Sequence, residues 1–373
     1  MKIAIIGTRG IPNNYGGFEQ FAEQLSVRLA ERGHIVTVFN PSFHLYLEKT
    51  FKNVSIVKLP CHENILGGAA HFFYDYYCYK YAIKQSVDVA LFCGYGTSAI
   101  AIALLNKHYT KAITNMDGYE WQRAKYNFIT KKLLKWFEKI AVKYSDTIVA
   151  DHSIIQKYYN NKYKVVPALI SYGAEIPLHF DESIIVSFGL TKYNYFLVVA
   201  RDEPENQIEF IVSAWKNSGN INKLCVVTNF PRLSRKYPNE KDIVFINRLY
   251  NSTQLSNLRH FSLACIHGHT VGGTNPSLLE AMAAQSFIIA HDNLFHREIL
   301  ENNAIYFNSE SSLSLILYNF SAKNDKTDKA ISNNLNKIRD DYQWGIITDK
   351  YLEVFEKILT LKKQKKNIDA DLR

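Results

Sequence analysis

The chain opens on a short apolar run over residues 2–6 that breaks at Gly7 into a polar, glycine-rich loop. From 18 to 31 the apolar positions recur at helical spacing, and Gly33 stands where a helix is capped at its C-terminus. Further apolar runs predict strands at 35–39, 54–59, 87–93, 112–115, 147–150 and 164–166. Helical spacing fills the gaps near 69–85, 98–106, 130–144 and 153–160. Strand and helix alternate, which predicts a parallel, doubly wound sheet.

The pattern fades between 173 and 194 and then restarts. Strands are predicted at 195–200, 224–228, 244–246, 263–266 and 287–290. Helices are predicted at 205–216 and near 252–259, 277–284, 311–320, 329–340 and 345–365. Two Rossmann-like domains follow: 1–172 and 190–342, with 343–373 as a C-terminal helix crossing back to the first and ending in a frayed basic tail from 361. Paired α/β domains of this kind bind nucleotides at the C-terminal ends of their strands.

Composition narrows the class. A length of 373 residues suits two cores better than one, and 47% apolar with 21% charged residues describes a globular chain. Cys61, Cys78, Cys93, Cys225 and Cys265 are scattered with no C-x-x-C pair, so neither a zinc site nor a disulfide framework is expected, and a reducing cytosol fits. The apolar start stops at Gly7, too early for a secretory leader. The uncharged stretch 89–106 contains Gly94, Gly96, Thr97 and Ser98, and reads as strand, loop and buried helix rather than a membrane span. A net charge of +9 suits an anionic partner without choosing among nucleic acid, phosphate ligand and acidic membrane.

Four loops carry candidate chemistry. Gly7-Thr8-Arg9-Gly10-Ile11-Pro12-Asn13-Asn14-Tyr15-Gly16-Gly17 follows a strand and opens a helix, the setting of a phosphate cradle or of a purely structural turn. It is not G-x-G-x-x-G, and Phe39-Asn40-Pro41 stands where a dinucleotide fold needs a ribose-binding acid, which disfavours an oxidoreductase. His267-Gly268-His269-Thr270-Val271-Gly272-Gly273-Thr274-Asn275-Pro276-Ser277 also joins a strand to a helix. Asn275 is the expected N-cap, and N–H groups around Gly273, Thr274 and Ser277 are placed to face a pyrophosphate. Glu280, one turn in, is placed to reach a ribose, and the two histidines without an acidic or Cys neighbour are weak metal ligands. Arg201, just past a strand, either clamps phosphate or pairs with Asp202 or Glu205. Asp117, in Asn115-Met116-Asp117-Gly118-Tyr119-Glu120-Trp121-Gln122-Arg123, is either a catalytic or sugar-binding carboxylate or part of an ordinary Asp-Gly turn.

In this order the motifs I-G-T-R-G-I-P-x-x-Y-G-G-F-E, N-x-D-G-x-E-W-x-R and H-G-H-x-V-G-G-T-N-P-S-L-L-E-A-M resemble retaining glycosyltransferases of family 4. Within it they look like a bacterial subfamily labelled rhamnosyltransferases of capsule and O-antigen synthesis. The resemblance spans nearly the whole chain and implies the GT-B fold, with the donor nucleotide in an inter-domain cleft. It implies that Gly16 and Gly17 lie near donor phosphate and acceptor, and that Arg201 holds the diphosphate. Glu280 matches the second glutamate of the family's E-x7-E motif, which binds the ribose. The first glutamate falls at Gly272 and is absent, and the family's lysine falls at Asn206, leaving His267, His269 or Arg9 to compensate. Asp117 aligns with the family's sugar-site histidine, where a carboxylate would stabilise an oxocarbenium-like centre or position the acceptor.

The implied reaction needs no metal or other cofactor, because helix dipoles and basic side chains neutralise the leaving diphosphate. The implied partners are a dTDP-rhamnose or UDP-sugar donor and a polyprenyl-diphosphate-linked glycan, with no nucleic acid. The implied location is cytoplasmic, at the inner face of the bacterial plasma membrane. Two stretches are candidates for docking there: the aromatic 71–77, and the basic, amphipathic 125–143 with Lys131, Lys132, Lys135 and Lys139. Each also reads as a helix packing its apolar side on the sheet, the better reading for 71–77 and an equal one for 125–143. The competing readings are a sugar-nucleotide epimerase and a nucleotide- or polyanion-binding module without turnover.

Overall fold

The structure, a computed structural model, describes residues 1–105, 109–229, 232–238, 240–320 and 324–371. The chain splits into two compact units. Unit 1 comprises Met1–Gln122, Tyr126–Tyr172 and Trp344–Arg373, and unit 2 comprises Arg123–Lys125 and Gly173–Gln343.

Unit 1 runs β1 (Lys2–Ile6), α1 (Gly17–Glu31), β2 (Ile35–Pro41), β3 (Thr50–Phe51), β4 (Val54–Leu59), α2 (Glu63–Leu66), α3 (Ala70–Lys84), β5 (Val89–Cys93), α4 (Ala99–Leu105), β6 (Lys111–Asn115), α5 (Phe128–Tyr144), β7 (Thr147–Ala150), α6 (Ser153–Tyr163) and β8 (Ala168–Leu169). Its sheet has the order β3-β4-β2-β1-β5-β6-β7-β8, with only β3 antiparallel to its neighbour. β1 lies centrally, with Ile3 opposite both Val36 and Val89. A parallel sheet is covered on both faces, so β1 and β5 are almost wholly apolar. One face packs Ile6, Phe39 and Phe92 against Tyr74 and Tyr79 of α3.

Unit 2 runs α7 (Glu182–Val186), β9 (Tyr195–Val199), α8 (Ile208–Ser218), β10 (Lys223–Thr228), α9 (Arg232–Lys236), β11 (Ile243–Asn247), α10 (Ser252–His260), β12 (Ala264–His267), α11 (Pro276–Ala283), β13 (Ile288–His291), α12 (Leu294–Leu300), β14 (Ile305–Phe307), α13 (Glu310–Asn319) and α14 (Asp325–Lys337). Its sheet, β11-β10-β9-β12-β13-β14, is wholly parallel. Phe196, Val198, Trp215, Val226, Ile266 and Ile289 form much of its core. The long helix α15 (Trp344–Asp371) belongs to unit 1, where Phe21 of α1 meets Trp344 and Tyr351 at ring distances of 6.1 and 5.5 Å.

Several expected elements are displaced for identifiable reasons. The strand expected at 164–166 is absent. α6 runs on to Tyr163, Lys164 caps it in the left-handed region, and the strand forms at Ala168–Leu169. The helix expected from 205 starts at Ile208 instead. Pro204–Asn206 forms a separate 3-10 turn, and Gln207 at φ 53° breaks it from α8. The helix expected from 329 starts at Asp325, because Asn324 and Thr327 make a capping box. β3, β14, α9 and α12 were not legible as elements. Position 106 of the predicted helix 98–106 lies outside the described residues, as do 372 and 373 of the predicted frayed tail, through which α15 continues to Asp371. No helix among the described residues is long and apolar enough to cross a membrane.

Candidate functional site

In unit 1 the candidate residues sit at the C-terminal ends of the strands. Of the two readings of the loop after β1, phosphate cradle or structural turn, the geometry favours the second for residues 9–16, where several amides are taken by the protein's own side chains. Arg9 N–H donates to Glu19 at 2.8 Å, Ile11 N–H to Asn40 at 3.0 Å, Asn13 N–H to Glu23 at 2.7 Å and Gly16 N–H to Asn13 at 3.2 Å. Asn40 also donates to the Ile11 carbonyl at 2.7 Å, so the residue standing where a ribose acid was sought braces this loop. Gly10 is obligatory at φ +93°, since a Cβ there would stand 2.3 Å from Asn40 Oδ1. What the loop leaves for a ligand is the first turn of α1, where Gly16 makes no side-chain cap and Gly17 begins the helix. Arg9 is not a free charge either: it pairs with Glu63 and lies 4.2 Å from the Tyr15 ring centre.

Asp117 follows β6 in a left-handed conformation, φ 54°. Its N–H donates to Asn115 Oδ1 at 3.0 Å, and Tyr172 OH donates to its Oδ1 at 3.3 Å. Asn115 in turn donates to Tyr351 OH of α15 at 3.1 Å. Phe18, next to Gly17, lies 6.3 Å from the Tyr172 ring, so Tyr172 links the glycine pair to Asp117. Deeper in this unit Asp75 of α3 is fully buried and accepts from Thr97 Oγ1 at 2.6 Å; burial pushes its carboxyl up to about 7.

In unit 2 the strand ends carry a connected polar cluster. The Arg201 guanidinium, one residue past Ala200, has neither an ion pair nor a hydrogen bond among the described residues. Asp202 is instead gripped by Arg232 in a forked contact at 2.9 and 3.0 Å. Asn206 donates to the Arg201 carbonyl at 2.8 Å, and its Oδ1 lies 2.5 Å from His269 Nδ1. Because the Arg201 carbonyl can only accept, Asn206 must turn its oxygen to His269, and Nδ1 of that ring carries the proton. Burial, followed by the nearby His296 and arginines, lowers His269 to about 3. Burial and the neighbouring His296 and His269 hold His267 well below its usual range. Both histidines are therefore neutral at pH 7. They can serve as hydrogen-bonding groups, but not as the cations that would compensate for the lysine missing at 206.

Gly272 explains a second departure. At φ +147° a side chain would be strained, and a Cβ would lie 2.8 Å from His269 Nε2, so a glutamate there would require that ring to move. Asn275 caps α11 by accepting from Ser277 N–H at 2.9 Å, and Pro276 takes the first helical position. Ser277 Oγ donates to the Val199 carbonyl at 3.1 Å, which ties the start of α11 to the end of β9. Ser277 thus spends both donors on geometry, and the phosphate-facing role expected of its N–H is lost. Gly273 and Thr274 complete the loop into α11, with Thr274 buried.

Glu280 accepts from Arg259 Nη2 at 2.5 Å, and the same nitrogen lies 3.2 Å from Ser277 Oγ. Arg259 was not anticipated: in the last turn of α10 it reads as a solvated base complementing the helix dipole, and only the tertiary contact buries it. The structure thus joins Arg201, Asn206 and His269 in one hydrogen-bonded chain and Ser277 with Glu280 in another. Gly16, Gly17 and Asp117 belong to unit 1. No group of three His, Cys, Asp or Glu side chains among the described residues is arranged to hold a metal.

Two parallel-sheet Rossmann-like units in this order constitute the GT-B fold. The chain is similar in structure to the sucrose-phosphate synthase of Thermosynechococcus elongatus, with a TM-score of 0.79 at 15% identity over 96% of this chain and 99% of that one. It is also similar to Anabaena Alr3699/HepE in complex with UDP and glucose, with a TM-score of 0.73 at 12% identity over 96% and 100% of the two chains. A glycosyltransferase from Rickettsia africae ESF-5 gives 0.70 at 15% identity over 96% and 99%. A family model described as a domain of unknown function, DUF1972, matches residues 1–175. No curated protein matches the chain significantly.

Proposed function

We propose that the chain is a retaining glycosyltransferase that moves a sugar, with rhamnose the first candidate, from a UDP- or dTDP-sugar to a polyprenyl-diphosphate-linked glycan in surface polysaccharide synthesis. One observation carries this reading. The Ser277–Val199 hydrogen bond brings the N-terminus of α11 against the strand that leads to Arg201, whose guanidinium has neither an ion pair nor a hydrogen bond among the described residues. The positive end of the α11 dipole and a forked cation at one strand edge suit a diphosphate. UDP bound to Anabaena HepE, a protein of the same fold, supports the nucleotide class.

In this reading Arg201 binds the leaving diphosphate and the dipole of α11 helps to neutralise it, so no metal is required. Glu280, braced by Arg259, accepts from the ribose hydroxyls. The C1–O bond to the diphosphate breaks, the acceptor oxygen bonds C1 on the same face, and its proton passes to a departing phosphate oxygen. Asp117 stabilises the positive charge that develops on the sugar or orients the acceptor.

Docking at the inner membrane face is part of the proposal. α5 buries Leu134 and Phe137, and exposes Phe128, Ile129, Leu133 and Trp136 among its lysines. The test is transfer from dTDP-rhamnose, UDP-glucose, UDP-galactose and GDP-sugars to a lipid-linked oligosaccharide. A new glycan with retained anomeric configuration supports the proposal. Epimerised or hydrolysed donor without transfer would overturn it, and so would donor binding with no product.

A further inference from the structure

The loop that carries Asp117 is fastened at its far end to one buried carboxylate. Glu138 of α5 has no exposed surface. Its Oε1 accepts from Tyr158 OH at 2.8 Å, Lys162 Nζ at 2.8 Å and Tyr163 OH at 2.7 Å, all from α6. Its Oε2 accepts from the Trp121 indole N–H at 2.9 Å. Three donors therefore hold the carboxylate to the scaffold, and the fourth is the side chain of the loop. Lys135, one turn before Glu138, places Nζ 4.2 Å from the centre of the Trp121 ring. The indole is thus held at its edge by an anion and at its face by a cation, both from α5. Tyr119 packs against Tyr158 at a ring distance of 5.0 Å and adds a contact to the same scaffold.

We infer that Glu138 is a positioning residue: through Trp121 it fixes the segment from Met116 to Gln122 and so sets where the Asp117 carboxylate stands. The inference rests on the role proposed above for Asp117. The arrangement has the features such a device needs. A buried carboxylate is expensive unless every lone pair is used and its charge is matched. Lys162 supplies the charge, and the tyrosines and the indole use the lone pairs. The Asp-Gly turn at φ 54° is followed by a single 3-10 turn, Glu120–Gln122, and Trp121 anchors that turn four residues beyond Asp117. The nearer end is held by Asn115 and Tyr172, and the far end by Trp121 together with the Tyr126–Glu120 hydrogen bond at 2.8 Å.

Replacing Glu138 itself would take the acceptor from Trp121, Tyr158, Tyr163 and Lys162 at once and confound loop position with folding. The informative variants remove one donor each from the same carboxylate. Trp121→Phe removes the loop's bond, and Tyr163→Phe removes a scaffold bond. Both should lower Tm by similar amounts. Trp121→Phe should lower kcat about ten- to hundredfold with donor KM unchanged, because misplacement of a group at the reacting centre is that costly. Tyr163→Phe should leave kcat within about twofold. Hydrogen exchange gives a readout independent of turnover: amides of the 116–122 segment should exchange faster in Trp121→Phe and not in Tyr163→Phe. Equal exchange in this segment for the two variants, or equal kcat, would overturn the inference. If exchange separates the variants while Asp117→Asn retains full turnover, the anchoring of the loop stands and the assignment of Asp117 falls.

Discussion

Arg259 and Glu280 form an ion pair between α10 and α11, with Nη2 and Oε2 2.5 Å apart and the arginine side chain only 4% exposed. The pair alters what a mutation at Glu280 would report. Glu280→Gln leaves a buried guanidinium without its counter-charge, at a cost of about 3–5 kcal/mol in stability. If Glu280 also holds the ribose, donor affinity falls by about 1–3 kcal/mol, equally for every sugar on one nucleotide. The two effects separate in the double variant Arg259→Met with Glu280→Met. Its Tm should recover, whereas calorimetry with UDP should still show the loss. Restored affinity in the double variant would make Glu280 a purely structural residue.

Arg201 offers a cleaner test because its guanidinium has no ion pair or hydrogen bond to lose among the described residues. Arg201→Ala should leave Tm within about 0.5 kcal/mol of equivalent stability, as expected for a substitution that breaks no internal contact. Binding of UDP and of the intact donor should weaken together by about 2–4 kcal/mol. UMP, which lacks the second phosphate, should be affected less. Unchanged UDP affinity on calorimetry would remove Arg201 from the site.

The contrast between Arg201 and Arg259 shows what the sequence could and could not reveal. Strand positions were legible because parallel sheets need continuous apolar runs, and β1, β5 and β9 have them. The N-terminus of α11 was legible because Asn275-Pro276 is a local signal. Arg201 could be placed at a strand end, but its freedom depended on Arg232 capturing Asp202, a contact 30 residues apart. Arg259, Glu138 and Tyr172 acquire their roles only from tertiary contacts, and no periodicity marks them. The loop after β1 could be read either way for the same reason. Glycines announce open backbone amides, whereas Glu19, Glu23 and Asn40, which occupy those amides, lie 10 to 29 residues further along the chain.

Asp75 predicts a pH dependence of stability. Its carboxyl titrates near pH 4 in the unfolded chain, and burial raises it to about 7 in the fold. Between those values the folded state binds more protons than the unfolded one, so this group's contribution falls as pH rises. Its stabilising effect is complete below about pH 4 and gone above about pH 7. The slope between is at most about 1.4 kcal/mol per pH unit. Asp75→Asn keeps an acceptor for Thr97 and cannot ionise. The variant should therefore gain stability relative to wild type on going from pH 5 to pH 8 in chemical denaturation. A difference that stays constant over this range would mean that Asp75 is ionised throughout.

The outer face of α5 predicts an association that salt weakens. Phe128 and Ile129 are 69% and 76% exposed at its start, and Leu133 and Trp136 are 43% and 53% exposed further along. Lys132, Lys135 and Lys139 share the exposed side. The buried residues Leu134, Phe137, Glu138 and Ala141 mark the opposite face, so the lysines and exposed apolar residues are available together. Apolar side chains inserted at the headgroup boundary and cations beside them act jointly: each lysine near an anionic surface contributes about 1 kcal/mol, and that part is screened by salt. Lys132→Glu with Lys139→Glu avoids Lys135, which is committed to Trp121, and should lower partitioning onto phosphatidylglycerol vesicles by at least tenfold at low salt. Wild type should lose most of the same affinity between about 0.05 and 0.5 M salt. Trp136→Ala should weaken binding at every salt concentration, because its share is apolar. Equal co-sedimentation of wild type with phosphatidylcholine vesicles at high salt would leave the lysines no role. Retention of vesicle binding by the double glutamate variant would show that α5 is not the face that meets the lipid.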